Sequence, residues 1–423
     1  MKAGFAEIDI TPPVGTHKLG WIKEIVSDHV LDPLFARVAV LESGPERIGF
    51  IQLDTLCVRW TQTNDIRRRI EAAYGFPGAG LMVSATHNHA GPALANGGDV
   101  RRDDAYVETL TRKCMAAFGE ALARREEAEV GFQHVYEAEV GFNRRVVMRD
   151  GTAKCQQAFA QDPNCLYIEG PADPEVAVLA LRRPGGDLLG CLVNFACHPT
   201  HHGGGTALSA GFPGLVCRLM KAQGSPVTLY LNGAGGNIIT TNFVTGLSVS
   251  MEEAAERITR DACAALANMT YRRDARLGSA STTLQLPYRQ PTPEEIAGTI
   301  KGAQRYVDPT AYDRGMPGLL ERIRTRKTQP AEVQVQFINE VAIAGIPAEY
   351  FVQHGLRIKQ EAWPAHALVA GQTNGMVGYV PHREAFPRGG YETTFCTGSK
   401  LAPEAGDLLA DAAVALIKRR EPA

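Results

Sequence analysis

The 423-residue chain carries almost no net charge, since 44 lysines and arginines stand against 46 aspartates and glutamates and leave −2. Nucleic acid and anionic membranes attract a basic surface, so this balance excludes both as expected partners and leaves a small molecule. Long apolar runs are missing too, because no window approaches the roughly twenty residues that span a bilayer. The first residues hold Glu7, Asp9 and the pair Pro12-Pro13 where a secretory leader needs an uninterrupted apolar core. A cytoplasmic protein with no membrane association is expected. Nine cysteines are scattered without a C-x-x-C pair, which suits a reducing compartment and small core residues, not a disulfide framework or a zinc finger. There is no internal repeat, low-complexity tract, P-loop or G-x-G-x-x-G fingerprint. These absences predict one unit over residues 1–423.

What the chain does have is alternation. Apolar, β-branched runs predict strands at 36–41, 48–53, 80–84, 175–181, 188–196, 227–231 and 367–370. A hairpin is predicted at 333–338 and 341–346, where only Asn339-Glu340 intervenes. Helical spacing predicts helices at 62–74, 104–124, 213–223, 251–268, 293–307, 312–326, 349–361 and 404–419. In the last of these Leu408, Leu409, Ala412, Leu416 and Ile417 form the expected core stripe. The pattern predicts an α/β fold with mixed β-sheets flanked by helices.

Three polar positions stand at the ends of apolar runs. Ser84-Ala85-Thr86-His87-Asn88-His89-Ala90-Gly91-Pro92 sets two imidazoles two residues apart. If the strand continues, both rings face one side and serve one site; the pair can equally close a strand end with hydrogen bonds, and the motif alone leaves both readings open. His198 follows another apolar run in Asn194-Phe195-Ala196-Cys197-His198-Pro199-Thr200, where the proline biases it toward an extended backbone. Glu349 follows a third, in Gly345-Ile346-Pro347-Ala348-Glu349, at the expected first turn of a helix. The helix dipole favours an acid there whatever its use.

Taken in order, several segments carry a resemblance. They are Gly4-Phe5-Ala6-Glu7-Ile8-Asp9-Ile10-Thr11-Pro12-Pro13, Asp32-Pro33-Leu34-Phe35-Ala36-Arg37, the T-H-x-H-x-G-P run from Thr86, the N-F-x-x-H-P-T run from Asn194, Pro347-Ala348-Glu349, Gly378-Tyr379-Val380 and Gly389-Gly390-Tyr391-Glu392. With these, almost the whole chain resembles the neutral ceramidase family, specifically its bacterial proteins similar to the ceramidase N-terminal catalytic domain. The resemblance implies that fold and a single zinc ion held by His87, His198, Glu349 and Tyr379. It implies His89 as a proton carrier beside the metal and Arg144 as a catalytic residue aimed at substrate; by residue type alone, Arg144 reads as a surface arginine. Two imidazoles, a carboxylate and a phenolate suit zinc. Separations of 111, 151 and 30 residues require the fold to assemble the site. Such an ion lowers the pKa of its water to about 7 and polarises a carbonyl.

The chain also departs from that family. In Asn232-Gly233-Ala234-Gly235-Gly236-Asn237-Ile238-Ile239 the residues Asn237 and Ile239 replace an acid and a serine, so no hydroxyl nucleophile is available there and water takes the part. The loop amides read either as an oxyanion cradle or as a plain strand-to-loop turn. Gly211 stands where relatives carry an aspartate able to orient a ligand imidazole. His201 and His202 read as substrate or metal contacts or as a solvated loop. The immunoglobulin-like domain of true ceramidases is not represented, and no lipid-facing apolar segment is evident. Metallo-β-lactamases fit poorly, because Ala90-Gly91-Pro92 follows the H-x-H pair; barrel amidohydrolases carry that pair nearer the chain start. The expected function is a zinc-dependent hydrolase cleaving an amide, ester or lactone of a small polar substrate. The alternatives are a zinc-dependent isomerase or lyase acting on a sugar-like or cyclic metabolite, and a non-catalytic metal- or ligand-binding relative.

Overall fold

Three stretches of the chain fold along the same path. The computed structural model describes residues 1–157 and 159–420; residues 158 and 421–423, part of the unit expected over 1–423, lie outside the described residues. In the first stretch β1 (Lys2–Asp9), β2 (Phe35–Ser43) and β3 (Glu46–Leu53) run antiparallel. The chain then crosses through α1 (Trp60–Tyr74) to β4 (Leu81–Ala85), parallel to β3, and continues into α2 (Asp104–Ala123). The second stretch repeats this with antiparallel β5 (Glu129–Tyr136), β6 (Glu175–Arg182) and β7 (Leu188–Phe195). It crosses through α3 (Gly211–Ala222) to β8 (Thr228–Asn232), parallel to β7, and ends in α4 (Met251–Ala267).

The third stretch begins with β9 (Leu277–Pro287), makes an excursion through α5 (Pro293–Ala297) and α6 (Pro309–Arg326), and returns in β10 (Thr328–Ile338) and β11 (Val341–Gly345). It passes β12 (Glu349–Tyr350), crosses through α7 (Val352–Glu361) to β13 (His366–Ala370), parallel to β11, then forms β14 (Tyr379–Val380) and α8 (Ala405–Lys418). The spatial orders β4-β3-β2-β1, β8-β7-β6-β5 and β13-β11-β10-β9 are one topology three times over. No repeat shows in the amino-acid sequence because this topology constrains only where apolar runs fall, not which residues fill them.

Each sheet turns one face to a common core: Phe5 and Phe50 from the first, Leu179 and Leu229 from the second, Ile343 and Leu368 from the third. The other face is covered by helices, with Ile66 and Phe118 on the first sheet, Val216 and Ile258 on the second, Ile358 and Leu409 on the third. Strands covered on both sides read as continuous apolar runs, which is why the predicted strands hold to within a few residues. The hairpin turn at Asn339-Glu340 also stands, with Asn339 at φ +55.

Three expectations are corrected. The helix predicted at 293–307 stops at Ala297, where Gly298 at φ +69 forms a left-handed cap. The helix predicted from 349 begins only at Val352, because Phe351 is extended and Glu349 belongs to β12. Leu408 is 38% exposed, and the core stripe of α8 instead runs through Leu409, Ala413, Leu416 and Ile417. Among the described residues no helix is long and apolar enough to cross a membrane.

Candidate metal centre

The carboxyl ends of parallel strands are where open sheets of this kind present groups to ligands. His87 lies two residues past β4, His198 three past β7, and Glu349 four past β11. His87 takes φ +67, so a left-handed turn, not strand alternation, brings it beside His89. A non-glycine residue holds that conformation only where its surroundings fix it. Between the two histidines Asn88 does this, donating from Nδ2 to the Ser209 carbonyl at 2.5 Å and accepting from the Ala90 amide at 2.9 Å. The His198 amide is held by the Ile238 carbonyl at 3.0 Å. Glu349 stands directly opposite Tyr379 in the parallel pair β12–β14.

The donor atoms converge closely. His87 Nε2 is 3.0 Å from His198 Nε2, and Glu349 Oε2 is 3.4 Å from the first and 3.3 Å from the second. His89 Nε2 is 3.4 Å from His87 Nε2. The far side of each ring fixes its proton: Nδ1 of His87 faces the Leu56 carbonyl at 2.8 Å, Nδ1 of His198 the Gly235 carbonyl at 2.6 Å, and Nδ1 of His89 the Gly20 carbonyl at 2.7 Å. A carbonyl oxygen only accepts, so each Nδ1 carries hydrogen, and a ring with no second proton presents a bare lone pair at Nε2. Lone pairs and a carboxylate at these distances repel unless a cation lies among them. Bond lengths of roughly 2.0–2.1 Å in a tetrahedral zinc shell put ligand atoms about 3.3 Å apart, the spacing found here.

Protonation favours the same arrangement. His87, His198 and Glu349 are 2%, 1% and 8% exposed. Burial first, then the charge of Arg144, holds His198 down to about 4. Burial and the two neighbouring imidazoles keep His89 well below the ordinary histidine range. Burial works to raise Glu349, but the neighbouring His198 and His87 outweigh that and hold it well below the ordinary carboxylate range. The Tyr379 phenol is pushed well up by burial and by the charge of Glu349. Arg144 is fully buried; its Nε donates to Glu392 Oε1 at 2.7 Å and its Nη2 to the Gly236 carbonyl at 2.9 Å and to Tyr379 Oη at 3.2 Å. Arg145 holds the other oxygen of Glu392 at 2.8 Å.

Two openings reach this cluster. A cavity of about 130 Å³ is walled by Trp21, His89, Arg144, Ile239, Tyr379 and Tyr391. A larger one of about 540 Å³ reaches Glu349 past Cys57, Met376 and Lys400.

The neutral ceramidase of Pseudomonas aeruginosa, a solved structure, matches 100% of this chain and 75% of its own, with a TM-score of 0.75 and 19% sequence identity. The chain has the neutral ceramidase fold. A ceramidase complexed with C2 matches 100% of this chain and 76% of its own, with a TM-score of 0.74 and 16% identity. No family model and no curated protein sequence matches the chain.

Within the ceramidase fold the residues singled out from sequence fall into place unequally. His87, His89, His198, Glu349 and Tyr379 come together. Arg144 reaches the cavity wall, but its guanidinium is engaged by Glu392, Gly236 and Tyr379 instead of standing free. Asn237 is structural: its Oδ1 accepts the Val352 amide at the start of α7 and its Nδ2 donates to Gln353. The amides of Gly233, Gly235, Gly236 and Ile238 are all taken by backbone carbonyls, which leaves these four unavailable as oxyanion donors. Gly236 also approaches Glu349 so closely that a Cβ would meet its carbonyl at 2.5 Å. With Nδ1 of both imidazoles held by carbonyls, the aspartate absent at Gly211 is not needed to orient them. His201 is half-buried against the Val249 carbonyl, and His202 is exposed.

Sequence reasoning gave no role to Glu392, Arg145 or Lys400. Two signals were present: Glu392 closes the Gly389-Gly390-Tyr391-Glu392 segment that carries the resemblance, and an adjacent Arg144-Arg145 pair needs a distant acid if buried. A second histidine and glutamate group, His134, Glu175 and His366, lies on β5, β6 and β13. There Glu175 is already satisfied by His366 at 2.6 Å and Lys359 at 2.7 Å.

Proposed function

We propose that the protein is a zinc-dependent hydrolase that cleaves an amide, ester or lactone bond of a small polar substrate, residues 1–423 forming one catalytic unit. The observation that carries this reading is the convergence of two imidazole Nε2 atoms and a carboxylate oxygen within 3.0–3.4 Å of one another. His87, His198 and Glu349 would hold the ion, with the Tyr379 hydroxyl beside Glu349 as the fourth donor. The solved structures that share the fold are named ceramidases, which directs the reading toward amide hydrolysis. Zinc in such a setting supplies Lewis acidity toward a carbonyl oxygen and toward water.

The protein groups divide the remaining work. His89 is neutral, its Nδ1 proton is fixed on Gly20, and it lines the cavity, so its Nε2 lone pair is free to take a proton from water and deliver it to the leaving group. Arg144 acts mainly through Tyr379, fixing the hydroxyl and adding positive charge at the wall where negative charge develops on the carbonyl. Trp21 and Tyr391 limit water in the cavity. Ile239 replaces a serine hydroxyl, which leaves water as the nucleophile. The test is the metal content of the purified protein beside His87→Ala and Glu349→Ala, followed by an amide, ester and lactone panel in oxygen-18 water. One zinc per chain, lost in both variants, with label in the product, is expected. Absence of tightly held metal after zinc is offered overturns the reading, and turnover without label turns it to an isomerase or lyase.

A further inference from the structure

The opening at Glu349 continues beyond the metal centre. Cavities of about 540 and 270 Å³ share Arg59, Trp60, Arg322, Gln329 and Met376 in their walls and form one groove starting at Glu349. Among the described residues, four cations on its walls, Arg59, Arg322, Arg326 and Lys400, meet no carboxylate. Arg59, at the foot of α1, donates its guanidinium to the Met376 carbonyl at 3.1 Å. Lys400, only 5% exposed, donates to the Val377 and Thr397 carbonyls at 2.5 and 3.0 Å. Arg322 and Arg326 lie one turn apart on the same face of α6, and the acid beside them, Glu321, is taken by Arg324 at 2.7 Å.

Like charges gathered this way disfavour one another. Burial first, and then the charges of Arg59 and Arg322, pull Lys400 down to about 7. Neither acid on the walls relieves them. Both oxygens of Glu332 accept from Arg67, and Glu349 belongs to the metal cluster. The start of α1 adds the same sign, because Arg59, Trp60 and Thr61 line the groove and the first turn of that helix holds no acid. Among the described residues most arginines meet a carboxylate, so a groove that keeps Arg59, Arg322 and Arg326 without one, beside a lysine held down to about 7, is built to receive an anion from outside.

We propose that this groove binds an anionic group on the substrate, so that the bond cleaved at the metal centre belongs to a molecule carrying a carboxylate or a phosphate. The substrate class rests on the hydrolase reading above; the anion subsite does not. Guanidinium groups suit either oxyanion through paired N–H donors. Trp60, 52% exposed at the wall, offers an apolar face to the organic part.

The test uses the full chain stripped of metal. Glutarate, inorganic phosphate and the neutral diamide glutaramide are titrated by calorimetry into wild type and into an Arg59→Gln/Arg322→Gln double variant whose melting temperature is checked first. Saturable binding of glutarate, phosphate or both, weakened about tenfold or more in the variant, is expected, with no binding of glutaramide. Glutarate alone identifies a carboxylate site and phosphate alone a phosphate site. Because Arg322 is exposed on a helix surface, a single Arg322→Gln variant serves if the double variant is unstable. Binding of neither anion, equal binding of the diamide, or unchanged affinity in the folded variant overturns the proposal. Anion binding in a protein that holds no zinc sinks the hydrolase reading alone, and turnover of neutral amides without anion binding sinks the groove alone.

Discussion

His89 and His87 share a loop, but only His89 lines the cavity, and that difference makes His89 the group to remove first. His89→Ala is expected to lower kcat by about a hundredfold or more while zinc content and melting temperature stay near wild type. Loss of zinc in that variant would make His89 a ligand, since the ring nitrogens of His87, His89 and His198 also lie within 4.8 Å of one another. Glu392 is the second test. It holds Arg144 and Arg145 together in the interior, and Glu392→Gln leaves buried guanidinium charge without its partner. A loss of about 3–5 kcal/mol in urea unfolding is expected. At this scale the sequence was legible where chemistry is concentrated in short motifs, as at Thr86–Pro92 and Asn194–Thr200. It was silent where partners lie some 250 residues apart, as Arg144 and Glu392 do.

At the scale of elements, the long strands were readable because helices cover one face and a shared core the other, leaving unbroken apolar runs. The two-residue strands β12 and β14 were not, since two residues carry no periodicity, and a real helix starting three residues later absorbed Glu349 into its pattern. These short strands nevertheless set Glu349 against Tyr379. The contact of α7 with α8 offers two further checks. A Cβ on Gly406 would come within 2.0 Å of His354 Nε2, so Gly406→Ala is expected to destabilise by about 1–3 kcal/mol, read by thermal unfolding. Burial holds His354 down to about 4, below its unfolded value of about 6.5. The unfolded chain therefore takes up the proton first. Stability from the neutral buried ring is complete above about pH 6.5 and is lost as pH falls toward 4, by about 3 kcal/mol. In metal-free protein the urea midpoint should drop across that window, and less steeply in His354→Gln.

For the molecule as a whole, the repeated topology assigns one donor to each stretch: His87 to the first, His198 to the second and Glu349 to the third. An ion held by all three binds the folded state alone, so stripping it with a chelator is expected to lower the melting temperature. Free ion at a thousandfold above Kd corresponds to about 4 kcal/mol. His87→Ala should melt at one temperature with or without zinc; a shift that persists in this variant would place the stabilising ion elsewhere. The threefold repeat itself escaped the sequence analysis because strand order leaves no trace in residue identity.

That division of donors also bears on synthesis. A nascent chain emerges amino end first, and its first two sheets can form while Glu349 is still inside the ribosome. Until β12 has emerged and folded against them, the early histidines have no carboxylate to complete their shell. Loading of such an ion would therefore be the closing event of biogenesis, and a chain interrupted before residue 349 would lack the carboxylate that completes the proposed site.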